Sequence, residues 1–137
     1  MSSVRLPRAI INRLLTHAQH NAEEEVCGLI GARDGEPASV YAVPNTATER
    51  DHLFAMDGKG QIDAMRTMRE RDETLFAIYH SHPHAPAAPS PTDIAQAAYP
   101  EALYLIISLN TQGVLEMQGF RLAGQNVEAV ELELGGG

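Results

Sequence analysis

The chain has a single cysteine, Cys27, in 137 residues. One thiol excludes an internal disulfide and a cysteine-rich structural zinc site. Long apolar runs are also missing. The longest, Leu103 to Leu109, falls far short of the roughly 20 residues that cross a bilayer. The stretch from Met1 to Pro7 has no apolar signal core. These absences predict a soluble, cytoplasmic protein with no membrane partner. Positive charge is scarce too: 10 Lys and Arg stand against 18 Asp and Glu, a net charge of −8. That balance speaks against nucleic acid, whose binding depends on neutralising phosphates with Lys and Arg. No internal repeat and no linker is visible, and the length suits one domain. Residues 1–134 are expected to form it, with 135–137 as a flexible glycine tail. A folded chain of this length buries about two thirds of its surface, enough for a core without staples.

What is present alternates between helical and strand patterns. Pro7 suits a first helical turn, where its missing N–H costs nothing. Ile10, Ile11, Leu14, Leu15 and Ala18 then recur at helical spacing, which predicts an amphipathic helix to about Gln19. Val26 to Gly31 reads as a buried strand, Arg33-Asp34-Gly35 as a turn, and Ser39 to Val43 as a second strand stopped by Pro44-Asn45. Thr46 to Gly60 is expected to be a loop holding a short strand near Leu53-Phe54. Ile62, Met65 and Met68 mark a second helix with a charged end at Arg69 to Glu73, and the Met stripe reads as core. Leu75 to Tyr79 is a third strand that runs into His80. A short helix is expected from about Thr92 to Ala98, then a central strand from Leu103 to Leu109 buried on both faces. Val114 to Leu122 and Val127 to Leu134 read as closing antiparallel strands. In the last, Val130, Leu132 and Leu134 share one face and Glu131 and Glu133 the other.

One segment carries chemistry: Tyr79-His-Ser-His-Pro-His-Ala-Pro-Ala-Ala-Pro-Ser-Pro-Thr-Asp93. His80 and His82 are two apart at a strand end, so both imidazoles can point to the same face. The loop after them is long enough to turn back and deliver Ser90 and Asp93 at the start of the next helix. Two His and one Asp make three protein ligands. Zinc sites with three protein ligands keep a fourth position open for catalysis, and bound zinc lowers the pKa of water to about 7. Such a site also needs a carboxylate that is not a ligand, to take and pass on a proton. Glu23-Glu24-Glu25, just before the first buried strand, supplies candidates, and spacing alone does not choose among them.

These residues give the chain its resemblance. It resembles the JAMM metalloproteases, the zinc-binding MPN-plus branch of the MPN-domain proteins. Their motif is an upstream Glu, then His-x-His-Pro, seven residues, a Ser, and an Asp three residues later. Here His80-Ser-His82-Pro83, Ser90 and Asp93 keep that spacing. The upstream Glu typically stands two residues before a small residue and a glycine, which Glu25-Val-Cys27-Gly28 matches; the resemblance therefore selects Glu25. It covers nearly the whole chain.

The resemblance implies an α/β fold in three layers, a mixed sheet flanked by helices in the MPN and cytidine-deaminase-like architecture. It implies His80, His82 and Asp93 as ligands of Zn2+. Glu25 would be base and proton shuttle, and Ser90 would bond the water or the oxyanion. The reaction implied is hydrolysis of an amide or isopeptide bond at the C-terminal Gly-Gly tail of a ubiquitin-like protein. Only a few residues separate Asp93 from the strand at Leu103, so the build is similar to compact bacterial or archaeal stand-alone members. Some of those cleave adducts of small sulfur-carrier proteins. The substrate tail is expected to lie extended beside the zinc, paired with a strand edge. Two other readings are weaker. A non-catalytic MPN scaffold would usually lack the ligands kept here, and a DNA-processing relative would need the basic cluster this chain lacks.

Taken singly, the remaining residues read plainly. Ser90 also suits a helix cap. Cys27 is expected to be a buried structural thiol. His84 is expected in the exposed loop, and His17, His20 and His52 at the surface. Asn45 and Phe54 could line a substrate groove, but ordinary loop structure is the simpler expectation.

Overall fold

The computed structural model describes residues 3–51, 53–109 and 116–134. Its elements run β1 (Ser3–Leu6), α1 (Arg8–His20), β2 (Cys27–Arg33), β3 (Glu36–Val43), α2 (Gly58–Glu70), β4 (Thr74–His82), α3 (Pro91–Gln96), β5 (Leu103–Ser108), β6 (Glu116–Ala123) and β7 (Asn126–Leu134). The strands form one sheet in the order β1-β7-β6-β5-β4-β2-β3. The β4–β5 and β1–β7 pairs are parallel and the others antiparallel. A mixed sheet with helices packed on it is the expected α/β fold.

Helices cover both faces. Ile10, Leu14 and Ala18 of α1 pack with Ile30, Tyr79, Leu105 and Ile107 on one side. On the other, Ala64 and Met68 of α2 pack with Leu29, Ile78, Tyr104 and Leu122. The central strand β5 is buried along its whole length, as its unbroken apolar run requires when both faces are covered. The β2–β3 hairpin closes at Asp34-Gly35, both at positive φ (52° and 81°), the conformation a two-residue hairpin turn needs. Gly28 is required for a different reason: a Cβ there would stand 2.5 Å from the Tyr41 carbonyl and from the Tyr79 ring.

The structure differs from the sequence reading in a few places. The N-terminal segment is not a bare lead-in but β1, parallel to β7, with Leu6 fully buried. No strand forms at Leu53-Phe54; an isolated bridge joins Asn45 and Met56 instead. Ile62 is 60% exposed, and α2 turns Ala64 and Met68 inward. Only Val130 of the expected β7 stripe is buried, while Leu134 lies outward. The glycine tail, His52 and the strand start expected at Val114 lie outside the described residues.

Glu73, expected at a charged helix end, is instead buried. Its carboxylate accepts hydrogen bonds from Ser39 Oγ (2.8 Å) and Tyr41 Oη (2.7 Å). Arg33, 3.8 Å away, is half exposed and adds little. Glu73→Ala would strand two hydroxyls beside a small void. It is expected to lower stability by about 3 kcal/mol, read from the urea midpoint at unchanged slope. A loss below about 1 kcal/mol would show that the network does not hold β3 to the end of α2.

Candidate active site

The site forms where the end of β4 lies beside the start of β2. Cys27 pairs with His80 across the sheet, and β5 flanks β4 on the other side with Ile106 opposite His80. β4 continues through both histidines, so strand alternation sends their rings to one face. Their Nε2 atoms lie 3.1 Å apart. Ser81, between them, points the other way. Its Oγ accepts from Val26 N (2.9 Å) and its N–H donates to Val26 O (3.0 Å). Those two bonds fix the segment carrying the histidines to the residue that follows Glu25.

α3 delivers the carboxylate. Ser90 caps it: Ser90 Oγ accepts from Asp93 N (3.0 Å), and Asp93 Oδ2 accepts from Ser90 N (2.9 Å). This reciprocal pair is a capping box built with Asp. It aims Asp93 Oδ2 at both imidazoles, 3.1 Å from each Nε2. The sequence reading of Ser90 as a cap is therefore observed. Glu25, His80 and His82 likewise offer ligand atoms within 4.8 Å of one another, all three buried. The structure thus brings together Glu25, His80, His82 and Asp93, with Ser90 on the wall of the same cleft.

The donor set fits a cation. His82 Nδ1 lies 2.8 Å from the Pro86 carbonyl. Because the carbonyl can only accept, Nδ1 carries the hydrogen. In the neutral ring, Nε2 is then a bare lone pair, and it faces the lone pairs of Asp93 Oδ2. These atoms, 3.1 Å apart, need either a hydrogen from the His80 ring or a cation between them. A histidine that donates its second ring N–H to a carbonyl is the usual arrangement of a metal ligand. The electrostatics agree. Burial disfavours ionised Asp93, but the His80 and His82 rings against its carboxylate, with the Ser90 N–H, override it and hold the carboxyl well below its usual range. Burial lowers the His80 pKa. Burial also opposes charge on His82, but Asp93 and the Pro86 carbonyl outweigh it and the pKa is raised.

The other candidates separate clearly. Cys27 is fully buried, and its Sγ donates to Val43 O (3.4 Å). Burial and the nearby Glu25 charge push its pKa up to about 12, so it is a structural thiol, as expected. His84 is exposed in the loop, 3.8 Å from Glu23. His17 does not lie at the surface as expected. It is half-buried, with Nδ1 2.8 Å from the hydroxyl of buried Tyr79. Phe54 and Asn45 are more than loop filler. The Phe54 ring stacks on His80 with centroids 4.3 Å apart. Asn45 binds the main chain of Glu25 and Leu53. Nothing in their spacing marked these contacts, because both are made by a loop that folds back from a distance in sequence. Ser108 Oγ, also unmarked, donates to Ala85 O (2.7 Å) and ties down the loop after the histidines.

Fold and cluster together define an α/β protein whose buried histidines and carboxylates form a donor set compatible with a metal ion. A family model described as prokaryotic homologs of the JAB domain matches residues 7–122. The chain belongs to that family, the prokaryotic branch of the JAMM (MPN-plus) hydrolases. It is 31% identical over 114 residues to a CysO-cysteine peptidase of Mycobacterium bovis, covering 82% of this chain and 78% of the relative. It is 32% identical over 117 residues to a desampylase of Haloferax volcanii, covering 79% and 84%. The solution structure of a Desulfitobacterium hafniense protein superposes with a TM-score of 0.84 at 33% identity, covering 95% of this chain and 91% of the other. Among the described residues, no helix is long and apolar enough to cross a membrane.

Proposed function

We propose that the chain is a zinc-dependent hydrolase that releases a small ubiquitin-like or sulfur-carrier protein from an amide or isopeptide bond at its C-terminal Gly-Gly tail. The observation that carries this reading is the convergence of His80, His82 and Asp93 on one point with Glu25 beside them. His80 Nε2, His82 Nε2 and Asp93 Oδ2 would hold the ion, a set that suits zinc with one position left open. When bound, zinc supplies Lewis acidity, lowering the pKa of water at that position to about 7 and polarising a carbonyl.

Everything else falls to the chain. Glu25, kept out of the ligand set by Asp93, accepts the proton from the attacking water and passes it to the leaving amine. Its burial excludes bulk water from that transfer. The Ser90 oxygen is occupied by the amide of Asp93, which orients its O–H to donate to the oxyanion. A cleft of about 340 Å³, lined by Glu25, Leu53, His82 and Ser90 among others, receives the tail. Asn45 and Thr46 take up main-chain groups of Leu53 and Ala55, and in an extended segment the groups of Phe54 then face the opposite edge. That edge suits backbone pairing with an extended peptide, and glycines fit where side chains would meet the wall. The two relatives named for cleaving carrier adducts support this substrate class.

The test incubates the chain with a carrier whose Gly-Gly end is joined to cysteine or to a lysine side chain. Mass spectrometry is expected to detect free carrier with zinc, none with chelator, and recovery on adding zinc back. A chain carrying one zinc that cleaves neither adduct would overturn the reading in favour of a binding scaffold.

A further inference from the structure

The Asn45 carboxamide makes four hydrogen bonds. Nδ2 donates to Glu25 O (2.8 Å) and to Leu53 O (2.9 Å). Oδ1 accepts from Ala47 N (3.0 Å) and Ala55 N (2.9 Å). Its orientation is determined by these partners, since a flipped amide would set oxygen against two carbonyls and nitrogen against two N–H groups. Both ends of the side chain are saturated.

Two of the segments it joins, at Glu25 and around Phe54, are ones the chemistry uses. Glu25 precedes β2 in a stretch without regular structure, so no β-ladder holds its peptide. Its N–H donates instead to Arg50 O (2.6 Å) and its C=O accepts from Asn45. Both anchors of the Glu25 main chain thus come from one loop, 45–56. The same carboxamide grips Leu53 and Ala55, on either side of the Phe54 that stacks on His80. The proposed metal-ligand atoms sit on β4 and α3, and none of these four Asn45 hydrogen bonds goes to either element.

We infer that Asn45 is a positioning residue: it sets Glu25 and the Phe54 wall in register with the metal-ligand cluster. This deepens the hydrolase reading and rests on it for the role of Glu25. A carboxylate that must receive a proton within hydrogen-bond reach loses efficiency when its backbone drifts by an ångström. The device is economical because one side chain ties base and wall together, so neither moves without the other.

The test compares wild type with Asn45→Ala and Asn45→Asp. The Asp variant keeps the size and both acceptor bonds but sets an oxygen against the Glu25 and Leu53 carbonyls, and it serves if the Ala variant fails to fold. Three quantities are read: zinc per chain, kcat and KM on the carrier adduct, and amide hydrogen exchange resolved by residue. Zinc content is expected to stay at the wild-type level. The kcat per bound zinc is expected to fall at least about tenfold. The Glu25 amide, bonded to Arg50 and not to Asn45, is expected to exchange at least about tenfold faster, while the His80 and His82 amides keep their protection. A kcat within about threefold of wild type overturns the inference, as does an unchanged Glu25 amide, because loss would then arise elsewhere. If the wild-type chain is inactive on every adduct, the hydrolase reading fails alone, and the exchange measurement still decides whether Asn45 holds Glu25.

Discussion

Glu25→Gln is expected to lower kcat about a thousandfold while the zinc content stays at that of the wild type. The substitution keeps volume and one oxygen but removes the ability to take up a proton. General base catalysis of this kind contributes about a hundred- to ten-thousandfold, and a thousandfold is about 4 kcal/mol of barrier. On the proposed assignment zinc should remain, because His80, His82 and Asp93, which converge at 3.1 Å, would form a three-ligand set without Glu25. Geometry by itself leaves two carboxylates close to the imidazoles, since Glu25 too offers an oxygen within 4.8 Å of both histidines. The variant separates the two assignments. Loss of activity with zinc retained identifies Glu25 as the base; loss of zinc would make it a ligand and overturn the division of roles. KM is expected to change little, because the proton transfer matters in the transition state and not in binding.

His82→Ala is expected to abolish both zinc binding and hydrolysis while leaving the fold intact. On the proposed assignment the imidazole would supply one of three ligands, and its Nδ1 bond to Pro86 O orients the ring with Nε2 toward Asp93. Losing a first ligand costs far more than losing a supporting contact, so the zinc content measured by metal analysis should fall to near zero. Asp93 keeps its bonds to His80 and to Ser90 N in the variant, and the two apolar layers on either side of the sheet are untouched. Circular dichroism should therefore match wild type. Global unfolding would mean that the metal staples the fold, and unchanged zinc with full activity would remove His82 from the site.

The two variants also test each other. Glu25→Gln disables proton transfer with the ion held, and His82→Ala removes the ion with the carboxylate present. Identical loss by both, through loss of metal, would place Glu25 among the ligands.

Much of this site was legible in residue order. His80 and His82 project together because a strand alternates with period two, a property of the backbone that needs no tertiary information. Ser90 and Asp93 stand three apart at a helix start, so their reciprocal cap follows from helical geometry alone. The helices, the Asp34-Gly35 turn and the buried β5 run were readable for the same reason, since each is set by interactions within a few residues. β1 was not readable. Four residues carry too little pattern, and this strand exists only because β7, far along the chain, offers it an edge. Glu73 was misread because its partners lie on β3, 32 and 34 residues away.

By itself, then, the sequence determined the type of site: two imidazoles and an aspartate in one short segment, with a charge balance hostile to nucleic acid. Only the tertiary structure decided how the acidic run before β2 meets that segment. Glu25 lies beside the histidines because β2 pairs antiparallel with β4 and Ser81 ties the two together at Val26. Asn45 and Phe54 join the site because their loop folds back over the same strand ends. Local spacing specifies which groups can act together on one element. Bringing groups from separate elements within hydrogen-bond distance takes the closed sheet and its packed faces.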